Sequence, residues 1–524
     1  MLIDARSVPR DHLVETDICI VGAGAAGITL ARELRSQPFR VCLLESGGLE
    51  FDAQTQALYE GENIGQSYYP LASTRLRYFG GSTNHWVGAC RPLDPMDFEK
   101  RSWVPYSGWP FGREELDSYY QRAHRICQLG PYTYEPGDWL VPGAPPPTFK
   151  GPRAVSTLFQ FSPPTRFGQV YREEIEGAPN IATYLHANVV EFETLDPLNR
   201  VARARVACLD GKRFQVAAKQ FVLAVGGIEN ARILLLSNRT RKAGLGNEYD
   251  LVGRFFMEHP HLYSGMLMPV RDGVVTDFYE TQKLHGVRAR GAVTISEKVA
   301  RQENLVNFSA FLRPYSIPGL DAFEHIVESL GRGEMPEHFL WNLKRVMVNF
   351  DEIAGYAYRR LRGQENAVPQ VLVLHNRSEQ VPNPDSRVRL SNERDALGQN
   401  RVALDWKLSA IDKHSLQRSH ELVALDFGAA GLGRMRVELD GEVASWPAEL
   451  GGGNHHMGTT RMHRNPKLGV VDPDCRVHGI ANLYVAGSSV FPTSGCSNPT
   501  LTIVALAVRL ADHLKGLMRR GEVG

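Results

Sequence analysis

The sequence predicts an α/β chain in two parts: a parallel sheet covered by helices and gathered from separate stretches, and an antiparallel α+β unit. Three observations carry this. Gly22-x-Gly24-x-x-Gly27 stands between a short apolar run and a helical pattern. Two more strand–glycine–helix segments follow, at Lys219–Ser237 and Ile480–Leu514. Between these two, residues 262–450 mix β-leaning runs with helical ones. At 524 residues the chain is too long for one ordinary core.

The first element is "TDICIVGAGAAGITLARELRS", Thr16–Ser36. Ile18–Val21 is an apolar run of the kind a buried parallel strand shows. Ile28, Leu30, Ala31 and Leu34 then recur at helical spacing. The predicted unit is strand, tight turn, helix. Gly22 makes the turn, Gly24 admits a pyrophosphate to the backbone, and Gly27 lets helix and strand pack closely. Ala25 and Ala26 open the helix, whose free N–H groups and positive dipole end face the phosphates. "RVCLLESGG" supplies the next strand and ends in Glu45-Ser46. Glu45 stands eighteen residues after Gly27 and is placed to accept ribose hydroxyls. This motif by itself serves NAD or FAD equally.

The second element runs from a strand through Gly226-Gly227 into a helix with Ile233, Leu234 and Leu236. The third has a strand ending at Gly487-Ser488, a loop, and a long apolar helix. A Rossmann-like dinucleotide domain drawn from the start, middle and end of the chain suits FAD, whose isoalloxazine lies far from its adenosine. The expected division is 1–128, 215–261 and 451–524 for this domain. Residues 129–214 form a connecting and partly substrate-domain segment, and 262–450 the substrate domain. Leu129–Gly151 is rich in Pro and Gly and is expected as irregular loop. Within 262–450, "VPQVLVLHNRSEQ" and "SRVRLS" lean to strand, and 320–331 and 412–430 to helix. Pro382–Ser391 is expected as a turn entering a strand.

Composition excludes several classes. Lys+Arg (59) balances Asp+Glu (58), so no global field favours nucleic acid or an anionic membrane. Seven scattered cysteines without C-x-x-C argue against a disulfide framework, structural zinc, an iron–sulfur cluster and c-type haem. A reducing cytoplasm is expected. The first residues lack the apolar core of a signal peptide. "LTIVALAVRLADHL" is short and carries Arg509 and Asp512, so it is expected as a buried helix and not a membrane span.

On these motifs the chain resembles the glucose–methanol–choline (GMC) oxidoreductases, FAD-dependent enzymes that oxidise alcohols and sugars. "RYFGGSTNHWVGACRPLDPMDF" (Arg77–Phe98) resembles the flavin-contacting loop, and "NHHMGTTRM" and "GCSNPTLT" the two catalytic-end motifs. The nearest sub-pattern is pyranose-oxidase-like, through Gly80-Gly81-Ser82-Thr83-Asn84-His85-Trp86 and Asn498–Thr502. Phe79 before the glycines and Ser237-Asn238 after the second segment depart from many members and weaken glucose as the substrate. The resemblance implies flavin contacts from Gly80, Gly81, Ser82, Asn84, His85, Trp86, Gly226, Gly487, Ser488, Asn498 and Thr500. In pyranose oxidases the matching histidine bonds covalently to the flavin; other relatives with a similar loop hold FAD without that bond. Non-covalent FAD is expected here, with a covalent link through His85 as the alternative.

The family's base lies in H-x-x-G-T, which places it at His455; its partner, His or Asn in relatives, is Asn498. The chemistry suits these residue types. A neutral imidazole accepts the hydroxyl proton as hydride leaves for flavin N5. An amide N–H orients the alcohol and stabilises developing alkoxide charge. A zinc site is disfavoured because no Cys, Asp or Glu lies among His455, His456 and His463. A phosphate loop is excluded because the G-x-x-x-x-G-K-[ST] pattern is absent. His456, Arg461, Asp472, His259 and His261 are expected in structural roles.

The expected function is FAD-dependent oxidation of a CH–OH group in a sugar, glycoside or related alcohol. The alternatives are a sterol or aliphatic alcohol as substrate, a redox-silent flavoprotein lyase, and an NAD-dependent dehydrogenase. Oxygen, a quinone or a separate redox partner are equally admissible acceptors. No nucleic-acid partner is expected, and oligomeric state is not legible.

Overall fold

The computed structural model describes residues 1–521 other than 142–146, 150, 164, 196–198, 271–276, 315–318, 320–321, 324–325, 328–338, 349, 351–352, 355–370, 438 and 440–445. The helix expected at 320–331 lies mostly outside the described residues.

Among these residues three sheets form. The first runs, in spatial order, Leu2–Asp4 (β1), Ile181–Leu185 (β7), Val41–Leu44 (β3), Leu13–Val21 (β2), Arg213–Leu223 (β10), Arg200–Ala207 (β9) and Asn188–Leu195 (β8). Leu483–Val485 (β20) also pairs with β10, parallel, beyond the stretch that β9 covers. From β1 to β20 the pairing is parallel; β8 and β9 add an antiparallel flap. β3 and β20 are buried at every position and β2 and β10 over their last four residues, which explains the unbroken apolar runs there. Residues 181–207, expected as part of a connecting segment, supply three of these strands.

The helix Ala25–Leu34 follows β2, and Gly226–Leu236 follows β10. The closing helix Thr500–Arg520 packs on the first helix and stops at Gly521, which takes the left-handed conformation at φ 64°. Lys515 Nζ reaches Glu33 at 3.2 Å and ties the two helices.

The second sheet is antiparallel. Its order is Gly433–Arg436 (β18), Pro260–Pro269 (β11), Leu372–Ser378 (β15), Phe308–Pro314 (β14), Val287–Ile295 (β13), Ala154–Phe161 (β6) and Ala89–Cys90 (β5). Gln282–Leu284 (β12) and Gly451–Gly452 (β19) pair at its margins. One face packs Leu262, Val293, Leu312 and Leu374 against Leu416, Val423 and Phe427 of the helix Ala410–Ala429. The opposite face is turned to the site described below. A third sheet joins Gly61–Asn63 (β4), Asn400–Asp405 (β17) and Arg387–Arg394 (β16), the strand expected after the turn at Pro382–Ser386.

Candidate active site

The carboxyl ends of the parallel strands gather the three glycine turns. Gly22 N donates to Leu44 O, Ala224 N to Val21 O and Ala486 N to Leu223 O, at 2.7, 2.8 and 2.8 Å. Open α/β sheets bind their ligands outside this edge. Gly22 takes φ 100°, and a β-carbon on Gly27 stands 1.8 Å from Gly22 O, so strand and helix meet here only without side chains. Gly24 differs: a β-carbon there meets nothing within 4 Å. The same holds for Gly226, and at Gly487 only Asn230 Nδ2 comes near, at 3.9 Å. Each of these three glycines borders open space, Gly24 at the start of the helix that begins with Ala25 and Ala26, and this fits a pyrophosphate there. Glu45, at the end of β3, accepts from Ala23 N and Gly47 N at 2.9 Å each, and Ser46 Oγ lies 3.2 Å from its Oε1. Oε1 takes both Gly47 N and Ser46 Oγ, while Oε2, with Ala23 N alone, keeps a lone pair for a ribose hydroxyl.

The loop at Gly80–Trp86 closes over the first turn. Gly80 N donates to Ala23 O at 2.8 Å, and a β-carbon on Gly81 lies 3.1 Å from Gly24 Cα. Asn84 Nδ2 donates to Phe79 O and Trp86 Nε1 to Thr165 O, which fixes the loop's shape. Ser82 and His85 face solvent. The histidine loop is pinned from the other side. Ser488 Oγ donates to His456 O at 2.7 Å, Thr460 N to Ser489 O at 2.9 Å, and Thr459 Oγ1 to Gly227 O. A β-carbon on Gly227 collides with His456 O, so that loop and the second glycine turn require each other.

His455 and Asn498, 43 positions apart, meet with Nε2 and Nδ2 at 3.2 Å. The hydrogen-bond partners assign the protons. Arg377 Nη1 donates to Asn498 Oδ1 at 2.7 Å, so the carboxamide turns its N–H₂ to His455. On the other side of the ring, His455 Nδ1 lies 2.9 Å from His259 Nδ1. His259 Nε2 faces the carbonyl of Ser494 at 3.4 Å, and a carbonyl only accepts. His259 therefore carries its proton on Nε2, its bare Nδ1 accepts from His455 Nδ1–H, and His455 Nε2 keeps its lone pair. Burial, reinforced by His259 and Arg377, lowers the His455 pKa well below 6.5. Burial also lowers His259 to about 4. Both rings are thus neutral near pH 7.

The N-terminal half of the chain matches the family model described as FAD dependent oxidoreductase over residues 17–233, and the C-terminal part matches GMC oxidoreductase over 382–507. The C-terminal part is a GMC oxidoreductase domain. The chain is 23% identical to the fructose dehydrogenase large subunit of Gluconobacter japonicus, covering 98% of this chain and 100% of that one. It is 27% identical to paromamine 6'-oxidase of Streptomyces fradiae, covering 97% and 92%. Among solved structures, pyridoxine 4-oxidase from Mesorbium loti superposes with a TM-score of 0.54 at 18% identity, over 95% of this chain and 99% of that one.

Around the pair stand groups that sequence reasoning missed. Glu258 is fully buried; it accepts from His455 N at 2.9 Å, His259 N at 2.8 Å and Tyr68 Oη at 2.5 Å. The two backbone N–H groups that donate to its carboxylate fix both histidine-bearing segments. Tyr68 Oη also lies 3.1 Å from His456 Nε2, whose pKa burial lowers to about 3, and this ring packs beside Phe256. Arg461 donates to Tyr106 O and stacks over Phe255, with no carboxylate partner among the described residues. Asp472 closes its own turn by accepting from Asp474 N and Arg476 N. His261 stands near His455, ring centroids 6.1 Å apart. Asn498 ends the last loop, and Thr500 begins the closing helix. Among the described residues no group of His, Cys, Asp and Glu is arranged to hold a metal ion, and no helix is long and apolar enough to cross a membrane.

Burial raises the Glu258 carboxyl to about 7 from 4.5. An acid with a raised folded pKa lowers stability as it ionises: the folded state is favoured fully below pH 4.5, loses ground up to pH 7, and is level above it. At 1.36 kcal/mol per pH unit the loss is on the order of 3 kcal/mol. Glu258→Gln therefore gains on the parent protein as pH rises from 4.5 to 7, read by urea unfolding. A difference that stays constant across that range assigns the titration elsewhere.

Proposed function

We propose that this GMC oxidoreductase oxidises a CH–OH group of a sugar, glycoside or related alcohol, with His455 as the base and Asn498 as its partner. The carrying observation is the proton order through Ser494 O, His259 and His455, which leaves a lone pair on His455 Nε2 beside an amide donor. FAD, when bound, supplies the hydride acceptor. His455 Nε2 takes the hydroxyl proton as the carbinol carbon gives up hydride, and its Nδ1–H shares the resulting charge with His259. Asn498 Nδ2 donates to the substrate oxygen while Arg377 holds the amide in that orientation.

Gly22, Gly24, Ala25, Ala26 and Gly27 would hold the pyrophosphate, and Glu45 and Ser46 the ribose. The loop from Gly80 through Trp86, with Gly226, Gly487, Ser488 and Thr500, would hold the flavin, without a covalent link at His85. The names of two relatives, for fructose and paromamine, support sugar-like substrates. Seven buried, unpaired cysteines suit a reducing cytoplasm.

The test is an anaerobic screen in which sugars, glycosides and simple alcohols are mixed with the yellow holoenzyme. Bleaching of the visible band by a sugar is expected, followed by reoxidation with oxygen or a quinone. Acid precipitation of the same sample leaves the yellow colour in the supernatant. A flavin that no alcohol bleaches overturns the oxidative reading.

A further inference from the structure

The sheet face opposite the Leu262–Leu374 core carries more charge than the proposed chemistry uses, which draws only on Arg377 Nη1. Side chains alternate along a strand, so register identifies those that share this face. Arg377 lies opposite His261, His375 opposite Tyr263, and Phe311 opposite His375. Arg313 follows Phe311 by two positions on β14, and Arg290 points to the same side from β13. The guanidinium carbons of Arg377 and Arg290 stand 4.8 and 5.0 Å from the Phe311 ring centroid. Two cations thus flank one aromatic ring beside Asn498, and the charge of Arg313, from the strand between them, acts on both.

Their hydrogen bonding is incomplete. Arg377 is 9% exposed, yet its Nε is buried without a partner, as are Arg313 Nε, His375 Nδ1 and His261 Nε2. Arg290 donates to the carbonyls of Tyr279 and Leu312, at 2.8 and 2.6 Å. Among the described residues, none of the three arginines has a carboxylate within ion-pair distance. Glu280 is the acid that acts on Arg290 across space, and the nearby Glu379 is committed to Arg101 at 2.5 Å. Burial first, then the charge of Arg313, lowers both Arg377 and Arg290 to about 10. Packing like charges together with unmet donors costs stability, and an anion held between them offsets that cost.

We infer that the substrate carries an anionic group, a carboxylate or phosphate on the sugar-like alcohol, bound by Arg377, Arg313 and Arg290 while its hydroxyl meets His455 and Asn498. This rests on the oxidative reading above. Guanidinium forks match the paired oxygens of either anion.

The test is calorimetric titration of the FAD-loaded enzyme with D-glucuronate, D-glucose 6-phosphate and D-glucose, alongside the anaerobic bleaching of each. At least one anion is expected to bind about tenfold or more tighter than glucose. Added salt lowers that preference. Arg313→Gln brings the anion-to-neutral affinity ratio toward one, and Arg313→Lys restores part of it. Arg377→Lys serves as a second variant if the first does not fold. Whichever anion is preferred names the group. Equal binding of all three overturns the inference and leaves the oxidative reading intact if the flavin bleaches. Anion preference with no bleaching by these three or by any alcohol of the wider screen supports the anion site and overturns the oxidative reading.

Discussion

Alanine at His455 lowers kcat by about 10²- to 10⁴-fold while the protein keeps its FAD. The ring is the one whose free Nε2 faces the Asn498 amide, and its removal leaves no nitrogen in that place. Loss must appear in kcat and not only in KM, because proton removal belongs to the transition state. The pH profile gives a second readout. Burial holds the imidazole neutral well below its ordinary pKa of 6.5, so the acid limb of kcat/KM lies below pH 6.5 in the parent enzyme. Steady-state assays with the alcohol found in the bleaching screen check both points, and flavin absorbance checks occupancy. A variant that retains FAD and turns over at the parent rate would sink His455 as the base.

Gly27→Ala and Gly24→Ala separate packing from cofactor binding, although the residues are three positions apart. At Gly27 the added carbon stands 1.8 Å from Gly22 O and 2.9 Å from Gly22 C, and neither backbone atom can yield without opening the strand–helix turn. Over-packing of this kind costs about 1–3 kcal/mol or more. Gly27→Ala is therefore expected to unfold at lower urea even without cofactor. At Gly24 the backbone lies at φ −85°, which alanine adopts freely, and the added methyl meets no protein atom. Gly24→Ala is expected to match the parent in apo stability and to lose most of its FAD, because the methyl occupies the pyrophosphate's approach. Urea unfolding of the apo proteins, paired with flavin content after purification, measures the two effects. Parent-like FAD affinity in Gly24→Ala would place the pyrophosphate elsewhere.

The parts of this molecule that follow from local rules were legible. Gly22–Gly27, Glu45 and the two later glycine turns combine short-range patterns with one role each, and the strands placed before them form. The histidine motif and Asn498 came through resemblance, and they meet although nothing local links them. What sequence reasoning missed depends on contacts across long separations. His259 was expected in a structural role, yet it touches His455 from 196 positions away. Glu258 lies beside it in "MEHPH", a run with no periodicity, and its partner Tyr68 is 190 positions away. Arg290, Arg313 and Arg377 gained no attention because a single arginine in a β-leaning run looks like a solvated edge residue. Only strand register places all three on one face. The strands of 181–207 were hidden behind a Pro- and Gly-rich stretch that suggested a connection.

The pairing of β20 along β10 has a consequence for how this protein is made. The parallel sheet takes strands from residues 2–4 and from residues 483–485, and the last glycine turn comes with the latter. A ribosome delivers those strands in sequence, so Phe221–Leu223 of β10 keep that edge open until residues 483–485 have emerged. Folding dominated by such distant pairings is slow. The edge that gathers the three glycine turns is therefore finished only when the last of them arrives with β20.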